Sequence, residues 1–471
     1  MAITMSEIPV DFHGDGAGTA ELTWGQTHIW RTARQTGRTM NVVTTALLPE
    51  GTSLADMEAF LRFMVSHHAA LRSKLRFTDG RPSQVIVASG AVPLQVADID
   101  DEDPAAVAEQ LRSRYELTWF DHENEFPVRM GVVRQSGVLR AIALGFSHVM
   151  VDGAGLAVLT RNTQLLDRST GTGPAPAGDL DPLELARVQG GPAGRRQTDR
   201  SMRYWAAQLG RLSSWRNDEP ANPREPRFLE LVVVSPAMEV GLRIIEARTR
   251  SGSTPALLAA YAVAVARALG RNPSVIQIVV GNRFRPGFAD AVQQVSQPGI
   301  CVVDAAEATF DEVVDRAAKA VTAASFHGYY DPAERDTLLD EIARRLGRPL
   351  DIEWHVNDRR ALFASQDDGD VPTGAEAEAA LRELLPRTKL FWDRTQPAFN
   401  GSLFMQVDSS ADPTIIGRDT LADGLPAVWM QIWTDTHLFA LDQVEALVRE
   451  MEKVVVEAAL DADPARHLVE A

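Results

Sequence analysis

An imidazole, a carboxylate and two glycines follow one another closely in the stretch SHVMVDGAG, Ser147–Gly155. Imidazole titrates nearest to neutrality, so His148 is the candidate general base, able to take a proton from an attacking nucleophile. Asp152 follows at a distance where its carboxylate orients the turn through a salt bridge rather than acting on a substrate. Gly153 can offer its backbone N–H to an oxyanion, and the glycines let a substrate come close to the main chain.

Such groups work only when rigid elements hold them. Ala141–Phe146 is an apolar run with the character of a buried strand, and Leu156, Val158 and Leu159 lead into a helix. The pattern therefore predicts a strand, a turn carrying His148, and a helix. Upstream, Thr23 caps a helix whose apolar face carries Ile29 and Ala33, with Gln26 placed as in a capping box. A strand over Met40–Leu48 is followed by a helix over Ser53–Leu71 with Met57, Phe60, Leu61 and Met64 on one face, and then by a hairpin turning at Asp79–Gly80. A strand from Val92, a helix over Asp103–Tyr115 and the link FDHENEFPVRMGVV complete the approach to His148.

Between Arg168 and Asp199 the segments STGTGPAPAGD and QGGPAGRRQTD read as surface linker around a short helix, Pro182–Val188. The boundary is placed here, dividing residues 1–180 from 181–471. The second part alternates again: a strand over Phe228–Val234, helices over Ala237–Thr249 and Thr254–Leu269, a buried strand over Val275–Val280, helices over Thr309–Ser325 and Pro332–Leu346, further strands near Ile352–Val356, Phe404–Val407 and Ala427–Trp433, and a docking helix over Leu441–Leu460. His327, Tyr329 and Tyr330 are read as packing residues. GNRFRPGFADAV follows a strand, but neither G-x-G-x-x-G nor a Walker pattern occurs, which rejects a mononucleotide loop.

The chain has 471 residues, enough for two domains with cores of their own. Its formal charge of −17 argues against a general nucleic-acid binder, since phosphates would be repelled. The single cysteine, Cys301, excludes an intramolecular disulfide or a thiolate cluster. No apolar run reaches the roughly 18 residues of a membrane helix, and no basic segment with an apolar core opens the chain. The expectation is no membrane, no nucleic acid, no metal, no bound cofactor, and the cytoplasm.

SHVMVDG resembles the HHxxxDG signature of nonribosomal peptide synthetase condensation domains and the HxxxDG form of acyltransferases of the chloramphenicol acetyltransferase type. The second His falls on His148, the Asp on Asp152 and the Gly on Gly153, while Ser147 replaces the first His. HHAALRSKL resembles the family's RHExLRTxF motif, with Arg72 as its retained Arg. Phe120, Asp121 and Pro127 resemble the family's FDLxxxPLxR, with Pro127 one position later than in that pattern, and Gly281–Pro286 resembles its G-x-R-x-x-P loop. In the family an Arg approaches the signature Asp, which makes Arg283 the stronger partner for Asp152, ahead of Arg72. The resemblance implies a mixed α/β fold of two chloramphenicol-acetyltransferase-like lobes forming a V with a central active-site tunnel. It implies no bound cofactor, with substrates presented on the phosphopantetheine of acyl or peptidyl carrier proteins in trans, or as coenzyme A thioesters, and a small-molecule acceptor. The expected protein is a free-standing enzyme that transfers an acyl group to an amine or hydroxyl through His148 and Gly153, with Ser147, Asp152, Arg283 and Arg72 as structural residues. The alternative is a non-catalytic relative that recruits a carrier protein or partner enzyme.

Overall fold

Two strands precede the first helix, β1 (Thr4–His13) and β2 (Gly18–Glu21), in a computed structural model that describes residues 4–167, 170–176, 178, 180–211, 223–350, 352–362, 370–409 and 422–460. Helix α1 (Trp24–Thr36) begins at the capping box of Thr23 and Gln26. Strand β3 (Val42–Leu47) leads to α2 (Leu54–His67), which Ser53 and Asp56 cap reciprocally. This helix stops at His67, short of the expected Leu71, because His68 turns extended and Ala69–Arg72 tighten into a 3-10 turn. Strands β4 (Ser73–Thr78) and β5 (Arg81–Ile86) form the hairpin, with Asp79 and Gly80 at φ 50° and 76°. Positive φ at both central residues is the geometry that matches strand twist in a two-residue turn.

Next come β6 (Ser89–Ile99), α3 (Pro104–Leu117), β7 (Val128–Gln135), β8 (Val138–Phe146), α4 (Gly153–Asn162), α5 (Pro182–Gly190) and α6 (Pro192–Leu209). The linker reading fails for part of QGGPAGRRQTD, since α6 begins at Pro192. Proline is at home in a first helical turn, where its missing N–H has no partner to lose. Strands run in the order β1-β6-β7-β8-β3, with β6 and β7 parallel and the other pairs antiparallel. Phe146, the last residue of β8, is paired to Val128 on one side and Val42 on the other. The strand end before His148 is therefore fixed from both flanks. One face of the sheet buries Leu94, Val96, Met130 and Phe146 with α2 residues Leu61 and Met64, and the other packs Ala97, Val133 and Ala141 against Leu111 and Tyr115 of α3.

The second half contains β9 (Phe228–Ser235), α7 (Pro236–Thr249), α8 (Ser253–Leu269), β10 (Ser274–Val280), β11 (Gln297–Val303), α9 (Phe310–His327), α10 (Pro332–Leu346), β12 (Trp354–Asp358), α11 (Gly374–Leu384), β13 (Lys389–Gln396), β14 (Leu403–Asp408), β15 (Val428–Asp435) and α12 (Leu441–Leu460). Its sheet has the order β11-β10-β12-β14-β15-β9-β13. Every residue of α8 from Pro255 to Val265 is buried, and α7, α9 and α12 pack around it. Tyr204 stacks on His327, and the Tyr330 hydroxyl donates to the Pro298 carbonyl. No single helix among the described residues is long and apolar enough to cross a membrane.

By contact, the described chain separates into two compact units, one formed by Met1–Gln197 with Gly281–Gln297, the other by Thr198–Val280, Pro298–Asp412 and Arg418–Ala471. The loop after β10 thus belongs to the unit that carries His148.

Arg72, only 2% exposed, donates to the carbonyls of Gly14, Asp15, Gly16 and Val87 and so ties the loop after β1 to the hairpin. Arg72→Met keeps the apolar stem and removes the charged hydrogen bonds. A stability loss of about 1.5–3 kcal/mol is expected, read as a lower melting temperature, and an unchanged melt would remove this role.

Candidate functional site

His148 sits on the turn between the end of β8 and the start of α4. The turn is closed by the Ser147 carbonyl, which accepts from the N–H groups of Met150 (2.9 Å) and Val151 (3.1 Å). Closing it points the Val151 carbonyl back at His148, whose Nδ1 lies 3.0 Å from that oxygen. A carbonyl can only accept, so Nδ1 carries the proton. Nε2 is left with its lone pair, the form a general base needs. Burial pushes the imidazole pKa below its ordinary value, and it outweighs the opposing pull of the Val151 carbonyl and of Asp152.

Asp152 is the N-cap of α4 and is 2% exposed. Its Oδ1 accepts from the Gly155 N–H (2.7 Å) and from Nη2 of Arg283 (2.6 Å), and its Oδ2 from Nη1 of Arg283 (2.6 Å) and from the N–H groups of Val295 and Ser296 (both 3.1 Å). The guanidinium is itself held by the carbonyls of Gly281, Ala291 and Gln293. A carboxylate so fully engaged has no lone pair free for proton transfer. Arg72 lies with the loop after β1, and Arg283 is the cation on Asp152.

The two glycines divide the work expected of them. A methyl group at Gly155 would come within 3.2–3.3 Å of Asp152 Oδ1 and Arg283 Nη2, so this position is kept small by the ion pair. At Gly153 it would meet nothing within 4 Å. The Gly153 N–H, at the first position of α4, has no partner among the described residues and belongs to the positive end of the helix dipole.

Residue types in and after GNRFRPGFADAV give no sign that Ala291–Ser296 grips Asp152 and Arg283 through main-chain groups, or that the Gln294 N–H donates to the Met150 carbonyl (2.9 Å). Main-chain donors leave no mark on residue type. Besides capping α1, the Gln26 amide reaches Gln84 and the Met150 sulfur. A cavity of about 470 Å³ in the same unit is lined in part by Asp121, Asn124 and Val128, and His148 is not among its lining residues.

Replacing Asp152 by Asn leaves Arg283 without its counter-charge, at a cost of roughly 3–5 kcal/mol. We expect Arg283→Ala to behave alike, and the double variant to be less harmful than the sum of the singles, because one shared interaction is lost. Denaturant melts of the four proteins test this. Strict additivity, or an Asp152→Asn protein as stable as the parent, would contradict it.

With this geometry in hand, likeness to other proteins gains meaning. The sequence model of the condensation domain matches residues 17–334. The chain is 30% identical over 190 residues to phosphinothricin tripeptide synthetase PhsB of Streptomyces viridochromogenes, an alignment covering 39% of this chain and 16% of that protein. Among solved structures, the X-domain from teicoplanin biosynthesis superposes with a TM-score of 0.67 at 18% identity, covering 97% of this chain and 98% of that one. The condensation domain of the monacolin K polyketide synthase MokA gives 0.71 at 14% identity, covering 97% and 100%. These superpositions show the mixed α/β fold of condensation domains, and the family match extends over most of the chain. The chain belongs to the condensation-domain family.

Proposed function

We propose that this protein is an acyltransferase of natural-product biosynthesis, moving an acyl group from a thioester to an amine or hydroxyl. The observation that carries the reading is the 3.0 Å contact between His148 Nδ1 and the Val151 carbonyl. With Nδ1–H given to the Val151 carbonyl, Nε2 is available to accept the nucleophile's proton. The amine or hydroxyl attacks the thioester carbon, the carbon–oxygen double bond opens to an oxyanion, and the Gly153 N–H receives that charge. Collapse breaks the carbon–sulfur bond, and the proton held on Nε2 passes to the departing thiolate. An amide or ester and a free thiol result. The donor is a thioester on a carrier protein's phosphopantetheine arm or on coenzyme A, and holding both substrates together supplies much of the acceleration.

The test is an intact-mass and chromatographic assay of the purified protein. Donors are octanoyl-pantetheine, octanoyl-coenzyme A and octanoyl-loaded carrier proteins, and acceptors are a panel of amino acids and alcohols. His148-dependent amide or ester formation supports the reading. Stable carrier binding without transfer from any donor would favour recruitment instead.

His148 lost as a base means His148→Ala folds normally and forms no product. In the parent, kcat/KM should fall on the acid side as Nε2 is protonated, and burial places that fall below the 6.5 of an ordinary imidazole. A fall above 6.5, or one that persists in a still-active His148→Ala protein, would exclude His148 as the base. Gly153→Pro deletes the N–H at a position where proline suits a helix start, and Asp152 before it is already extended at φ −96°, ψ 173°. A folded protein with kcat lowered about 10²–10³-fold is expected, and retained turnover would remove the oxyanion role.

A further inference from the structure

Ser147 is gripped twice by the FDHENEFPV segment that precedes β7. Its N–H donates to the Pro127 carbonyl (3.1 Å), and its Oγ shares a 2.7 Å hydrogen bond with His122 Nε2. His122 is itself fixed. Its carbonyl accepts from the Leu75 N–H (2.7 Å), and its ring meets Trp30 edge-on, with centroids 5.8 Å apart, and leans on Phe120. Ser147 is 1% exposed, so no water competes for its hydroxyl.

The sequence makes this pairing pointed. In FDLxxxPLxR the residue after Phe-Asp is leucine, and here it is His122. In HHxxxDG the residue before the second His is histidine, and here it is Ser147. Two departures from the family pattern, in segments well separated along the chain, meet at one hydrogen bond. We infer that they are a coupled exchange: the imidazole has moved from position 147 to position 122, and the His122–Ser147 pair is a positioning device for His148. The path is short. Ser147 Oγ anchors the residue whose carbonyl closes the turn through Met150 and Val151, and Val151 in turn holds Nδ1 of His148. His122 is neutral at physiological pH, because burial lowers its pKa to about 4, so the pair brings no charge beside the base.

This inference rests on the proposed transfer for its kinetic effect but not for its structural one, and the test has an arm for each. In the first, the imidazole nitrogens of His148 are followed by ¹⁵N NMR in the parent, in Ser147→Ala, in His122→Leu and in His122→Leu/Ser147→His. The parent and the double exchange should show one neutral tautomer with the proton on Nδ1, and the single variants a mixture. In the second, with octanoyl-pantetheine as donor, each single variant should lose about 10-fold in kcat with KM nearly unchanged, since misplacing a reacting group acts on kcat. The double exchange should recover to within about threefold of the parent. Ser147→Ala removes one oxygen and keeps the reading testable if His122→Leu fails to fold. A Ser147→Ala protein with the parent's tautomer and kcat would overturn the inference, as would a folded double exchange no better than the singles. A parent inactive toward every thioester counts against the transferase reading, and the tautomer arm then decides the positioning role by itself.

Discussion

A carboxylate taken out of water has to be matched at each acceptor position, and Asp152 is matched by a guanidinium fork and three main-chain N–H groups. Its partner Arg283 lies 131 residues further along the chain. One end of the arrangement is the first turn of α4, the other is the loop Gly281–Gln297, and the His148 turn lies directly before the first. Coulomb attraction alone would tolerate sliding of one element on the other. Two parallel N–H···O bonds do not, because the fork fixes direction as well as distance. Arg161 and Asp290 add a second ion pair between α4 and the same loop, and Gln293 reaches the Leu180 carbonyl from its far side.

The state of the neighbouring imidazole is set by burial. A bare carboxylate four residues from a histidine would raise the imidazole pKa and favour the cation. Asp152 pulls in that direction on His148 too, and the loss of hydration outweighs it. Asp152 caps α4 through Gly155, which leaves the Gly153 N–H, two residues earlier, without a partner among the described residues. The helix start is stabilised by one donor while another remains for a ligand.

Much of this was legible in the residues. Thr23 with Gln26, Ser53 before α2 and the Asp79–Gly80 turn announce themselves because capping and positive φ demand particular side chains. Helices α7, α8 and α12 and strands β9 and β10 show plain periodicity or plain apolar runs. What stayed hidden had weaker patterns. Strand β1 is exposed over most of its first half and contains Pro9, so neither alternation nor apolarity marks it. Helix α6 begins in a segment whose Gly and Pro read as linker. Helix α11 and strand β13 were not read at all: α11 buries only Ala377 and Leu381, and no residue of β13 is fully buried. At the candidate site, SHVMVDG singled out His148, Asp152 and Gly153, and the Gly281–Pro286 loop singled out Arg283 as the partner of Asp152. The clamp at Val295 and Ser296 and the partner of Ser147 are products of tertiary folding, and no local spacing encodes them.

A serine hydrogen-bonded to a histidine invites comparison with a nucleophile and its base, and the surroundings argue otherwise. Ser147 Oγ is closed off from solvent, and its N–H and carbonyl are both committed to fixing the turn. For this hydroxyl to attack a thioester it would have to leave His122, and the turn that aims His148 would lose its anchor. The two roles exclude each other. On the proposed reaction Ser147 is therefore not the nucleophile, and the bond forms directly between the two substrates. The transition state is then governed by position and by two polar groups, a lone pair on Nε2 and an N–H at the start of α4. Both depend on backbone placement, and so the chemistry is sensitive to contacts such as Arg283 with Asp152 and His122 with Ser147 that need never touch a substrate.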